Sequence, residues 1–147
     1  MWWRLWFVPI GLAMGLQANQ PDDLRTNLGN ARQRWAAHKP ASYEFTIEVR
    51  CFCVGIAKTP PTFRVKADKS TAVTELPGQS DRLYDHYNTV EKLFIAIDRS
   101  LTRGRDKSTV TYNEDLGFPE KADLDPLRNV FDDELYLRVT NFRVIEK

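Results

Sequence analysis

Apolar and polar residues alternate along Ser42-Tyr43-Glu44-Phe45-Thr46-Ile47-Glu48-Val49-Arg50-Cys51-Phe52-Cys53. Successive side chains of a β-strand point to opposite faces of a sheet, so this stretch presents one apolar face and one polar face. The apolar face is predicted to hold Tyr43, Phe45, Ile47, Val49, Cys51 and Cys53. The pattern is typical of a half-buried antiparallel strand that covers a core on one side only.

Two amphipathic helices are predicted, one before and one after this strand in the sequence. The first ends at Lys39-Pro40. Its apolar stripe consists of Leu24, Leu28, Ala31 and Trp35. The second begins at Asn88, whose spacing from Glu91 fits a capping box, and ends near Gly104. Its apolar stripe consists of Val90, Leu93, Phe94, Ile97 and Leu101.

Five shorter segments complete the pattern. They are predicted strands at residues 62–67, 71–76, 108–112, 121–125 and 134–144. The order along the chain is helix, three strands, helix, three strands. Each helix needs an apolar sheet face on which to bury its stripe. We therefore expect an α+β fold, a two-layer sandwich in which an antiparallel sheet of about six strands carries the two amphipathic helices on one face.

The N-terminal residues have the layout of a secretory signal peptide. Arg4 precedes an apolar run at residues 5–16, and the chain turns polar from Gln17. This run of twelve residues is shorter than the roughly 18 to 20 that span a bilayer, so no permanent membrane span is expected. Small residues place the cleavage site after Ala18, with Gly15 as the alternative. We expect residues 1–18 to be a signal peptide, residues 19–147 to form a single domain, and the mature protein to be periplasmic or secreted.

The length and charge of the chain favour a single domain and argue against some classes of function. The chain has 147 residues, which suits one domain. Its 21 Lys and Arg residues nearly balance 20 Asp and Glu residues, and the net charge of +1 argues against nucleic acid as a partner. The sequence has no glycine-rich phosphate loop, and Ser80 and Ser100 lack the context of a catalytic nucleophile. We recognise no catalytic constellation, predict no cofactor and do not expect an enzyme.

The two cysteines, Cys51 and Cys53, leave three interpretations open. In an ideal strand their Cα atoms lie about 6.6 to 6.8 Å apart, so a disulfide would be strained unless a bulge shortened the distance. Export and an even cysteine count favour the disulfide. The alternatives are a labile redox pair and a soft-metal site, for which the sequence offers only His38 and His86 as imidazole ligands.

Two polar clusters are further candidate sites. Carboxylates gather at Asp123-Leu124-Asp125 and at Asp132-Asp133-Glu134. Such oxygen ligands suit Ca²⁺, although the glycine and glutamate of an EF-hand loop are missing, and a solvated edge is the alternative. The loop around Tyr84, His86 and Tyr87 suits a ligand site or a catalytic imidazole, with a packed or exposed loop as the alternative.

Four motifs also carry a resemblance. They are Tyr43-Glu44-Phe45 leading into Cys51-Phe52-Cys53, Thr89-Val90-Glu91-Lys92-Leu93-Phe94, Gly117-Phe118-Pro119 and Asp132-Asp133-Glu134. Together they resemble a family of exported bacterial proteins and lipoproteins, the domain of unknown function of type 6174. The resemblance implies an exported α+β domain and no assigned activity, cofactor or catalytic residue. Many members resemble lipoproteins, whereas the first cysteine here is Cys51, so tethering through a lipidated N-terminal cysteine is not expected.

These observations favour an exported small globular protein that acts as a binding or interaction module, with its strand faces as the contact surface. Its partner would be an envelope protein or a small ligand. The alternative is a thiol-disulfide or soft-metal handling protein that uses Cys51 and Cys53. The two hypotheses differ in whether the thiols are reactive.

Overall fold

Three helices and six strands make up the part of the chain that the computed structural model describes, residues 21–127 and 129–146. In chain order they are α1 (Pro21–His38), β1 (Ser42–Cys51), β2 (Thr62–Lys66), β3 (Lys69–Ala72), α2 (Ser80–Tyr84), α3 (Val90–Arg103), β4 (Thr109–Tyr112), β5 (Pro119–Leu124) and β6 (Leu135–Val144). None of these described helices is both long enough and apolar enough to cross a membrane. The predicted signal peptide, residues 1–18, lies outside the described residues.

The strands form one antiparallel sheet in the order β3-β2-β1-β6-β5-β4. Its centre is the pair β1 and β6, each ten residues long. Ile47 pairs with Val139, and Cys51 at the end of β1 pairs with Leu135 at the start of β6. The predicted α+β class and the antiparallel sheet of six strands are confirmed.

The core lies on the sheet face that the alternation predicts. The side chains of Tyr43, Phe45, Ile47 and Val49 are buried, as are both predicted helical stripes. Helix and sheet meet at Tyr43, where the Trp35 ring packs edge-on with its centroid 5.2 Å away. The backbone N–H of Val90 donates a hydrogen bond to the Tyr43 hydroxyl at 3.2 Å. Tyr43 therefore connects α1, α3 and the central strand.

The first turn of α3 is capped by Thr89, not by Asn88 as the capping-box spacing predicts. The Thr89 side chain accepts a hydrogen bond from the backbone N–H of Lys92 at 3.2 Å, and its backbone is extended. Asn88 instead accepts from the Lys92 ammonium at 2.9 Å. Thr89 is itself an accepted N-cap residue, so the predicted helix starts one residue later than expected.

Glu91, in this first turn of α3, is held by two donors from α1 and the residue that follows it. Its carboxylate accepts from the Trp35 indole N–H at 2.9 Å and from the Lys39 ammonium at 2.7 Å. Burial disfavours the charge, but these hydrogen bonds outweigh it and keep the pKa of Glu91 below its usual value. We call Trp35, Lys39 and Glu91 the Glu91 network.

Helix α2 occupies a stretch that the sequence predicts as a loop. Its five residues are too few for a helix that is stable by itself. Tyr84 at its end is buried, and the Tyr84 ring lies 6.2 Å from the Phe63 ring of β2. The helix thus depends on a tertiary contact, which a local sequence pattern does not reveal.

The hairpin between β2 and β3 also differs from the prediction. The sequence suggests a turn at Asp68-Lys69-Ser70, whereas β3 begins at Lys69. Ala67 and Asp68 have φ values of 47° and 63°, and Lys66 pairs with Lys69. Two central residues with positive φ are the mark of a two-residue turn that matches strand twist, so the turn is shorter than predicted.

Candidate functional site

A pocket of about 470 Å³ lies between α3, the loop that follows α2 and the start of β6. The loop contributes residues 85–87, and β6 and the segment before it contribute Leu135 and Asp133. The α3 residues recur at helical spacing: Lys92, Ile95, Ala96, Arg99, Ser100 and Arg103. The volume suits a small organic ligand. We call this cavity the Asp133 pocket.

Two buried polar groups in the Asp133 pocket lack hydrogen-bond partners within the described part of the chain. Asp133 is 7% exposed, and neither of its carboxylate oxygens has a partner. Ser100 is also 7% exposed, and its hydroxyl has none. A buried carboxylate without donors costs several kcal/mol relative to a solvated one. Both groups therefore offer hydrogen-bonding capacity to a molecule that enters the pocket.

The exposed edge of the pocket is positively charged. Arg99 and Arg103 are exposed and lie one helical turn apart, and neither forms an ion pair with a described residue. Lys92, by contrast, is engaged, because its ammonium donates to the Asp85 carboxylate at 3.1 Å. That contact holds the pKa of Asp85 below its usual value. The two arginines are thus the cations that an incoming acidic group would meet.

Apolar and aromatic side chains complete the pocket. Tyr87 is half-buried, and burial raises the pKa of its phenol, which stays protonated at neutral pH. Leu135 and Ala96 are half-buried, and His86 is exposed with its ring 6.4 Å from the Tyr87 ring. The pocket therefore combines a buried anion, exposed cations and an apolar wall, an arrangement that fits a small zwitterion.

The three residues of the predicted ligand loop separate in the structure. His86 and Tyr87 line the Asp133 pocket. Tyr84 belongs to the core, where burial raises the pKa of its phenol. Its hydroxyl accepts a hydrogen bond from the backbone N–H of Ala57 at 3.3 Å, which ties α2 to the loop that follows the cysteines.

The five candidate calcium ligands do not come together. Asp123, Asp132 and Glu134 are exposed, Asp125 is half-buried, and Asp133 faces the pocket described above. Across residues 21–127 and 129–146, no group of three or more His, Cys, Asp or Glu side chains is placed to hold a metal ion. Of the acidic cluster, Asp133 alone lines the pocket.

Cys51 and Cys53 form a close pair, with their sulfur atoms within bonding distance of each other. Strand β1 ends at Cys51, and the chain bends at Phe52, so the two Cα atoms lie 5.2 Å apart. The expectation of a strand that continues through Cys53 is therefore wrong, and the shorter distance lies within the usual range for disulfides. The cysteine pair lies at the end of the sheet that also holds Leu135.

Residues of α3 on the pocket side were missed by the sequence analysis. Arg99 and Arg103 follow the helical spacing on the exposed side of α3, so a signal existed for them, whereas Ser100 is buried beside the apolar stripe. What the sequence does not show is that Asp133, thirty residues later, closes the cavity against this side of the helix. That juxtaposition depends on the order of strands in the sheet.

The fold and the pocket together define a small α+β domain with a ligand-sized cavity at one end of its sheet. The chain belongs to a family described as a family of unknown function (DUF6174), whose model matches residues 27–144. The resemblance found in the sequence is confirmed at the level of the family. No curated protein and no solved structure matches the chain.

Proposed function

We propose that the protein is an exported binding protein, periplasmic or secreted, that holds a small zwitterion in the Asp133 pocket. The ligand carries an ammonium group, an acidic group and an apolar body. A short peptide or an apolar amino acid has this chemistry. The protein is still proposed to be a binding module, as the sequence indicates, but the ligand is proposed to bind in the pocket and not on the strand faces.

Export is supported by the N-terminal layout alone. Arg4 precedes the apolar residues 5–16, and polar residues follow. Intact mass of the exported protein should correspond to a chain that starts at Asn19, or at Leu16 if the alternative site is used. A predominant species that retains residues 1–18 would contradict export by cleavage.

The unpartnered carboxylate of Asp133 is the observation that carries the ligand proposal. An ammonium group would supply the donors that this carboxylate lacks, and a charge-assisted hydrogen bond in such a site is strong. The acidic group of the same molecule would then face Arg99 and Arg103 at the exposed edge. Ile95, Ala96 and Leu135 would contact the apolar body.

The test is calorimetric titration with three related dipeptides. Leucyl-leucine carries both charges, N-acetyl-leucyl-leucine lacks the ammonium group, and leucyl-leucinamide lacks the carboxylate. We expect leucyl-leucine to bind most tightly, and N-acetylation to weaken binding by about tenfold to a hundredfold because Asp133 loses its donor. Removal of the carboxylate should weaken binding less, because the arginines are exposed to solvent.

Matched variants locate the binding site. Asp133→Asn should abolish the preference for the free ammonium group, whereas Asp132→Asn, at the neighbouring exposed position, should leave it unchanged. If none of the three dipeptides binds, the small-zwitterion proposal fails. If Asp133→Asn and Asp132→Asn bind leucyl-leucine equally well, the ligand lies elsewhere.

Thiol-disulfide exchange is a second candidate function, and one observation favours it. Cys51 and Cys53 are each partly exposed, and their neighbours Phe52 and Val54 are 82% and 77% exposed, so a partner could approach the bridge. Mass spectrometry after alkylation, with and without reductant, decides between the forms of this alternative. Thiols that are free in the exported protein would favour a redox or soft-metal role, and a bridge that resists mild reductant would favour a structural one.

A further inference from the structure

The sheet face opposite the core carries more basic than acidic residues, although the whole chain has a net charge of only +1. We call it the outer face, and it holds the strand residues that alternate with the buried ones. Seven of these are basic. Arg50, Arg64 and Arg143 have acidic partners, whereas Lys66, Lys69, Lys121 and Arg138 form no ion pair with a described residue.

The acidic residues of the outer face are fewer and partly neutralised. Glu44 accepts from Arg64 at 2.6 Å and from Arg143 at 2.6 Å, and these hydrogen bonds lower its pKa. Glu48 pairs with Arg50 at 2.9 Å, and Asp123 is exposed. With Glu120, which lines a shallow hollow beside Lys121, the acidic residues number four against seven basic ones. An excess of three positive charges therefore lies on one face.

Two of the cations without an ion pair face each other directly, although Arg138 also has Glu48 of β1 in register on its other side. Lys121 of β5 pairs in register with Arg138 of β6, and both side chains are exposed. Like charges opposite each other on neighbouring strands destabilise a sheet. Glu48, which is in register with Arg138 but ion-paired with Arg50 at 2.9 Å, relieves part of this repulsion. The Tyr136 ring relieves a further part, since it lies 5.8 Å from the Lys121 ammonium, although the Arg50 guanidinium also lies over it at 4.1 Å. An anion bound between Lys121 and Arg138 would turn the repulsion into attraction.

The spread of the cations indicates an extended partner. Lys66 lies on β2 and Lys121 on β5, three strand spacings apart, or roughly 14 Å. A single small anion cannot bridge that distance, whereas a polymer with repeated negative charges can. Tyr136 is the one aromatic residue that the described strands place on this face, and Arg50 covers its ring. Stacking platforms for nucleic-acid bases are therefore missing among the described strands.

We propose that the outer face binds an acidic polysaccharide through Lys121, Arg138 and their basic neighbours. The choice of a polysaccharide over other polyanions rests on the proposed export, which would bring the protein to the carbohydrates of a cell envelope. The site is separate from the Asp133 pocket, whose lining residues do not include those of the outer face. Its binding should weaken as salt screens the charges.

The experiment measures binding of the purified protein to fluorescein-labelled polygalacturonate by fluorescence anisotropy. We expect binding at 20 mM NaCl that weakens at 300 mM NaCl, and no binding to neutral dextran. Lys121→Gln together with Arg138→Gln should weaken binding roughly tenfold. The matched control is Lys58→Gln together with Arg82→Gln, which removes the same charge from two exposed positions outside the sheet and should have little effect.

Several outcomes would overturn the proposal. Equal weakening by the two double variants would mean that net charge, and not the outer face, drives binding. Tighter binding to double-stranded DNA or to phosphatidylglycerol vesicles, with the same dependence on Lys121 and Arg138, would replace the polysaccharide with that partner. Absence of polygalacturonate binding would refute the site, and it would leave the dipeptide titration of the Asp133 pocket unaffected.

Discussion

The two halves of α3 differ in whether the polar groups beside them have hydrogen-bond partners. At the N-terminal half, Glu91 receives hydrogen bonds from Trp35 and Lys39, and Thr89 caps the helix. On the pocket side of the C-terminal half, Ser100 and the nearby Asp133 have no partners among the described residues. Partnered polar groups stabilise a fold, and buried unpartnered ones cost stability unless a ligand satisfies them. The difference teaches that the polar groups at one end of α3 stabilise the fold, whereas those at the other end are the ones that our proposal assigns to ligand binding.

The largest loss of stability is expected from a substitution in the buried stripe of α3, through which the helix packs on the core. Phe94→Ala removes a side chain that is 3% exposed and stacked on Tyr112, and it should lower the free energy of unfolding by about 3 to 5 kcal/mol. Ile95→Ala, at the next position and 45% exposed in the pocket, is the matched control and should cost less than about 1 kcal/mol. Urea unfolding measures both. Equal losses would mean that the two sides of the helix do not differ.

A second variant breaks the Glu91 network. Glu91→Leu leaves the buried Trp35 indole N–H without an acceptor, and we expect a loss of about 2 kcal/mol. Glu91→Gln keeps an acceptor and should lose less. Trp35 is the only tryptophan after residue 18, so in a protein produced from residue 19 onward its fluorescence reports this site directly. A Leu variant as stable as the wild type would show that the network is not structural.

The cysteines lie at the end of the sheet near the pocket, and their bridge should contribute modestly. It closes so short a loop that the chain-entropy model gives only roughly 1.6 kcal/mol. Replacing both Cys51 and Cys53 with Ser should therefore lower stability by about 1 to 2 kcal/mol. Denaturant unfolding of the oxidised, reduced and doubly substituted proteins checks this. Complete unfolding on reduction would contradict a modest contribution. It would mean that the cysteine pair stabilises the fold at least as much as the Glu91 network does.

In the Asp133 pocket we expect a substitution that raises the stability of the fold, in contrast to the losses predicted above. Asp133→Asn removes a buried charge that has no partner, so we expect the free protein to become about 1 kcal/mol more stable. The same variant should lose its preference for leucyl-leucine. Thermal unfolding without ligand measures the first effect. A destabilised variant would indicate that Asp133 is paired in solution, and the contrast between the two halves of α3 would then disappear.

The smallest expected effect is the pH dependence of the Glu91 network. The pKa of Glu91 is lower in the folded protein than its usual 4.5, so the ionised form stabilises the fold above that pH. This contribution should fade as the pH falls through the folded pKa. The side chain is 40% exposed, so we expect less than about 1 kcal/mol. The stability difference between wild type and Glu91→Gln should shrink as the pH falls below 4.5, and a constant difference would argue against this contribution.

Local patterns predict most of the fold and little of the site. The alternation of residues 42–51 and the stripes of α1 and α3 report burial directly, because burial selects apolar side chains at fixed periods. Helix α2 is not predicted from the sequence, because it depends on the tertiary contact between Tyr84 and Phe63. The Asp133 pocket is not predicted either, because its lining combines residues of α3 with a residue that precedes β6. His86 and Tyr87 were found from composition alone, without the partners that give them a cavity.

The pairing of β1 with β6 has a consequence for the timing of folding. Glu44 and Arg143, which meet across this pair, are 99 residues apart in sequence. Closing so long a loop is slow, and contacts of high sequence separation delay folding. The central strand pair cannot form until β6 has left the ribosome, so the nascent chain stays open during most of its synthesis. Translocation channels accept unfolded chains, so the late closure of the sheet would suit the export that we propose for this protein.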